Sequence, residues 1–144
     1  LNFIRSPGSG ARVGGKNLEA FGKMLGEDAL KIFVADVVCL NERDTGIEFL
    51  HSIECKFYKT PDSFQNLLLG KANVYGWFEE SVTDAKKTNK NPILIFKWNN
   101  TQVFVAVDAK TKIPDSINKI VLINGIQVCL LDDLLPHTDF WIKK

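Results

Sequence analysis

A chain of 144 residues, 45% hydrophobic and 24% charged, can bury a sizeable core within one globular domain over 1–144, which excludes a disordered or fibrous chain. Its formal net charge of +1 excludes a global basic field, so any nucleic-acid surface has to come from local clustering of cations. No apolar run approaches transmembrane length and no signal peptide is visible, so the expectation is a cytoplasmic protein without a membrane partner. Three cysteines, Cys39, Cys55 and Cys129, stand far apart in apolar runs with no CxxC, and buried free thiols are expected.

In chain order, residues 2–5 read as the tail of an edge strand. Residues 6–15 hold one Pro and four Gly, flanked by Arg5, Arg12 and Lys16. Such a loop either brings backbone N–H groups close to a phosphate or is simply a flexible surface loop. No P-loop pattern is present. Residues 16–30 carry Leu18, Phe21 and Leu25 at helical spacing, with Glu19 on a solvated face. Residues 35–40 form an apolar strand with a single acid, Asp36, near its start. A polar segment over 41–46 ends in Gly46 and suits a hairpin connection.

The run over 47–58 then reads as one buried central strand. Glu54 and Lys56 are two residues apart in it, so both point to the same face. A carboxylate and an ammonium on a core strand are costly to bury unless each has a partner. Antiparallel pairing of the two strands would carry Asp36 close to both. The bland alternative is an exposed Glu/Lys pair of little energetic consequence.

After this strand, Thr60-Pro61-Asp62 offers an N-cap, a first helical position and a first-turn acid for a helix ending at Gly70. The longest helix is expected over 71–89, with Val74, Trp77, Phe78, Val82 and Ala85 as its core-facing stripe. Its terminal lysines, Lys86, Lys87 and Lys90, either form a solvated end or touch backbone phosphate. Strands follow over 93–98 and 102–107 across Asn99-Asn100. A linker over 110–118 leads to a second hairpin centred on Asn124-Gly125, the strongest hairpin signal in the chain. Residues 109–144 are thus a C-terminal hairpin extension of the same domain. Asp132-Asp133 opens a short helix, and His51 and His137 suggest no zinc site.

Asp36 followed by Glu54-Cys55-Lys56 resembles the catalytic core of the PD-(D/E)xK nuclease superfamily. The opening Arg5-Ser6-Pro7-Gly8-Ser9-Gly10-Ala11 is similar to the segment before the first acid in its Holliday-junction-resolvase-like branch, found in phages and archaea. The resemblance covers roughly residues 3–108, and Ala35 stands where the family pattern has Pro. It implies an α/β fold with a mixed central β-sheet flanked by helices, a restriction-endonuclease-like core. It also implies a metal-dependent DNA endonuclease acting on branched DNA as a homodimer. Asp36, Glu54 and the Cys55 carbonyl would hold Mg²⁺, with Mn²⁺ as a substitute, and Lys56 would orient the attacking water. Arg5, Ser9, Arg12, Lys16 and Lys59 would meet DNA. A helix carrying a further metal-facing Glu would precede residue 1; Glu19 is an alternative to it, but the short gap to Asp36 favours the solvated face. Two other readings stay open: a restriction-type or recombination nuclease on linear DNA, and an inactive nucleic-acid-binding module of the same fold.

Overall fold

The computed structural model describes residues 3–5, 36–39 and 42–144. The expected glycine-rich loop and the helix over 16–30, with Ser9, Arg12, Lys16 and Glu19, lie outside the described residues.

The strands are β1 (Phe3–Arg5), β2 (Val37–Cys39), β3 (Glu48–Phe49), β4 (His51–Tyr58), β5 (Asn91–Trp98), β6 (Phe104–Val107), β7 (Lys119–Val121), β8 (Gln127–Leu130) and β9 (Ile142–Lys143). The helices are α1 (Glu42–Thr45), α2 (Phe64–Leu69), α3 (Asn73–Thr88), α4 (Leu131–Leu134) and α5 (Thr138–Trp141). Seven strands form one mixed sheet in the order β1-β2-β4-β5-β6-β8-β7, and β3 pairs with β9 in a separate ladder. The β4–β5 pair is parallel, and every other neighbouring pair is antiparallel. Parallel neighbours need a crossover, which α2 and α3 provide. The architecture is therefore the α/β fold expected from the sequence, a mixed central sheet flanked by helices.

β5 is the spine of the sheet because its run of apolar residues can be buried on both faces. Ile93 and Leu94, which point to opposite faces, are each fully buried. On one face, Leu94, Phe96, Ala106 and Val128 pack against Val74, Trp77 and Phe78 of α3. On the other, Ile53, Ile93, Val105, Val107 and Cys129 meet Ile113, Ile117, Leu134 and Trp141. The C-terminal segment thus adds β7 and β8 to the sheet and covers the face that α3 leaves bare. The expected linker over 110–118 supplies two core residues, Ile113 and Ile117.

Several local expectations change. The run over 47–58 is not one strand: it breaks at Leu50, whose N–H is held by the carbonyl of Trp141, and β3 turns away to pair with β9. The connection over 41–46 is not a plain hairpin loop but contains α1, closed by the N–H of left-handed Gly46 donating to the carbonyl of Glu42. The helix after β4 starts at Phe64 rather than after Thr60, because Ser63 Oγ accepts the N–H of Asn66 and so takes the capping role. Asp62 caps the following helix instead, accepting the N–H groups of Asn73 and Val74 at 2.9 and 3.2 Å. The cysteines also differ: Cys129 is buried, Cys39 is half-buried and Cys55 is exposed.

Candidate active site

β2 meets β4 at one register pair, Val37↔Ile53. Asp36 sits just before β2, and its N–H donates to the carbonyl of Ile53 at 2.9 Å. Its side chain then reaches along β4, where Oδ2 accepts the N–H of Cys55 at 2.6 Å. Asp36 is thereby fixed against the backbone between Glu54 and Lys56. Only the first half of β4 is covered. His51 to Glu54 are buried, while Cys55, Phe57 and Tyr58 are exposed and Lys56 is half-buried. The expected buried strand therefore emerges into solvent at the Glu54–Lys56 pair, where chemistry can reach it.

Glu54 is 8% exposed, yet it carries a carboxylate. Burial raises its pKa most, the Asp36 charge raises it further, and Lys56 pulls the other way. Lys56 Nζ lies 3.1 Å from Glu54 Oε1 and 2.6 Å from Glu80 Oε2. Burial works against the ammonium, but Glu80 and Glu54 outweigh it and hold the Lys56 pKa above its usual range. Lys56 is thus a permanent cation at neutral pH and unsuited to act as a base.

The packing of α3 on β4 explains Glu80. Steps of two residues along a strand, about 6.6 Å, are roughly matched by steps of three to four along a helix, about 4.5–6 Å. Accordingly Tyr58 stacks on Trp77, Lys56 pairs with Glu80, and the Asp84 charge acts on Glu54. Glu80 and Asp84 went unsingled in the sequence. The signal available was their spacing of four on the flank of a helix that must cross over one face of the E-x-K strand.

The donor set suits a hard divalent cation. Mg²⁺ is commonly held by one or two carboxylates with water completing its octahedron, so Asp36 and Glu54 suffice as protein ligands. A cation between them would also relieve the repulsion that raises the Glu54 pKa. Among the described residues, no cluster of three or more His, Cys, Asp or Glu side chains forms a metal cage. His51 is a core residue: its Nε2 lies 2.6 Å from the carbonyl of Phe140 and its ring stacks on that of Phe140.

The cations expected to meet DNA divide. Arg5 lies on β1 opposite Val37, one residue from Asp36 in the register. Lys59 is exposed just beyond β4. Lys87 and Lys90 are engaged within the protein, Lys87 by Asp84, and Lys90 by Glu42 and the carbonyl of Phe49. Among the described residues, no helix is long and apolar enough to cross a membrane.

A family model described as "phage putative PDDEXK endonuclease" matches residues 1–130. No curated protein and no solved structure matches the chain.

Proposed function

This chain belongs to that phage PDDEXK endonuclease family, and on that premise we propose that it hydrolyses DNA phosphodiester bonds in a Mg²⁺-dependent reaction. The observation that carries the reading is the meeting of Asp36, Glu54 and Lys56 at the point where β4 emerges, with Asp36 fixed by the Cys55 N–H.

Asp36 and Glu54 are the metal ligands in this reading, with the carbonyl of Cys55 as a third oxygen. Bound Mg²⁺, or Mn²⁺ in its place, supplies positive charge to the scissile phosphate and lowers the pKa of the attacking water. Lys56 acts as a donor: its fixed ammonium orients that water and steadies the charge developing on the phosphoryl oxygens. Glu80 is a positioning residue that holds Lys56 over the site. Arg5 and Lys59 are the DNA-backbone contacts in this reading, Arg5 from its register position opposite Val37 and Lys59 from its exposed place after β4. The fuller reading, from resemblance to the Holliday-junction-resolvase-like branch, is action on branched DNA by a two-fold dimer that presents two sites to opposed strands.

Single-turnover cleavage of a four-way junction and of a matched linear duplex, with Mg²⁺ or with EDTA, tests this. Cleavage is expected only with the metal, and faster on the junction. Asp36→Asn should lose both Mg²⁺ binding, read by calorimetry, and cleavage. Lys56→Ala should keep most of the metal affinity while cleavage falls roughly 10²–10³-fold, the usual scale for a lost transition-state donor. Parental cleavage by Lys56→Ala would refute the assignment, and equal rates on both substrates would refute the branch preference.

A further inference from the structure

We propose that Tyr58 is a stacking platform for a nucleobase beside the phosphate held at Glu54 and Lys56, so that the favoured substrate carries an unpaired base there, as single-stranded and forked DNA do. The inference rests on the nuclease reading for the place of that phosphate.

Glu54, Lys56 and Tyr58 alternate along β4 and so share one face. Tyr58 lies about 6.6 Å beyond Lys56 along the strand, on the solvent side of the site. One side of its ring is held by Trp77, with centroids 4.6 Å apart and planes 25° apart. Trp77 in turn leans on buried Phe96 at 6.2 Å. Tyr58 is nevertheless 48% exposed, so it is the accessible end of a stacked pair whose inner ring, tilted 54° to Phe96, is anchored in the core. A base laid on it continues that stack, at little entropic cost because the ring is already fixed.

Gly76 is a second, independent observation. It stands in the interior of α3, where glycine weakens a helix, and a Cβ there would meet nothing within 4 Å. Packing therefore does not require it. Gly76 precedes Trp77 and lies one helical turn before Glu80 on an exposed part of α3, and in this proposal the absent side chain keeps the approach to the platform open. Exposed Lys59 follows Tyr58 directly and adds a cation next to the ring in the chain, a combination that surfaces tracking a single strand use. In an intact duplex the faces of the bases are covered by their neighbours, so only an unstacked base can use the platform.

Phe57 is an internal control. It is 67% exposed on the same strand but points to the opposite face, away from Glu54 and Lys56. The test measures binding in EDTA to a single-stranded oligonucleotide bearing 2-aminopurine, to a forked duplex, and to a duplex closed at both ends. Tyr58→Ala should weaken binding to the first two roughly 5- to 150-fold, the range for losing one base–aromatic stack, and leave the closed duplex unchanged. Tyr58→Phe should keep the affinity. Gly76→Leu should weaken it at a melting temperature no lower than the parent's, because a helix interior favours Leu over Gly, and Phe57→Ala should have no effect. Unchanged binding by Tyr58→Ala, an equal loss on the closed duplex, or an equal loss in Phe57→Ala overturns the proposal. A change in sedimentation without a change in binding also overturns it, by assigning the ring to a second copy. Cleavage is read separately with Mg²⁺: Tyr58-dependent binding without cleavage supports the platform and removes only the nuclease reading, whereas cleavage without Tyr58-dependent binding removes the platform alone.

Discussion

Glu54 shows at the scale of one residue what a carboxylate buried beside a second acid does to stability. Burial and the Asp36 charge raise its pKa in the fold above the unfolded value, despite Lys56. Between those two values the folded state binds more protons than the unfolded chain, so stability falls as pH rises through the folded pKa. Below the unfolded pKa the penalty is absent. Glu54→Gln keeps the shape of the protonated acid and should raise Tm at pH 7 in EDTA, with the gain disappearing below about pH 4. Thermal scans of both proteins at the two pH values check this. A lower Tm for the variant at pH 7 would mean that the ion pair with Lys56 outweighs desolvation.

At the scale of the element, the orientation of α3 decides which side chains meet β4, and its start is set from outside the helix. Asp62 accepts two of the backbone N–H groups that the first turn leaves without intrahelical partners. Asp62→Ala should cost about 0.5–2 kcal/mol, the range for losing a helix cap, measured by urea unfolding. Asp62→Asn should recover much of that, because an amide oxygen still accepts. Since α3 carries Glu80 and Trp77, fraying of its start should also loosen the Tyr58 ring, visible as increased tyrosine mobility. The β7–β8 hairpin shows the opposite case of purely local control. Asn124 and Gly125 both take positive φ, 68° and 75°, as the Asn-Gly pair predicts, and the N–H of Leu122 closes the turn on the carbonyl of Ile126.

Across the whole molecule, the C-terminal segment ties the sheet together through His51 and Trp141. Trp141 stacks with Phe49, and its Nε1–H donates to the carbonyl of Leu134. His51 has a lowered pKa, chiefly from burial and in part from the Lys90 charge, against the hydrogen bond with the Phe140 carbonyl. It is therefore kept neutral in the fold while the unfolded chain takes up a proton below about pH 6.5. Its contribution to stability is complete above that pH and is lost as pH falls through the folded pKa, with a slope of at most about 1.4 kcal/mol per pH unit. Glu54, whose pKa is shifted upward, changes stability with pH in the opposite sense, so the measurement is a difference. Between pH 6.5 and 5, the stability of His51→Asn should fall less steeply than that of the parent. Parallel curves would show that His51 does not titrate in this window.

What the sequence determined by itself follows from local chemistry. Period-two alternation places Glu54 and Lys56 on one face, the apolar run over 93–96 makes a strand buried on both sides, and the stripe of Val74, Trp77, Phe78 and Ala85 requires a helix with one face in the core. The approach of Asp36 to the E-x-K strand was also legible, because an acidic strand and a second strand a short gap away pair antiparallel. Only the tertiary structure decided the rest. The break at Leu50 comes from β9, more than ninety residues away, and a distant partner leaves no trace in local periodicity. The emergence of Cys55, Phe57 and Tyr58 into solvent depends on where β2 and the C-terminal segment stop covering β4. The presence of Glu80 beside Lys56, and of Trp77 beneath Tyr58, depends on the direction in which α3 crosses the sheet. Strand spacing told which side chains share a face, and only packing told which of them reach water.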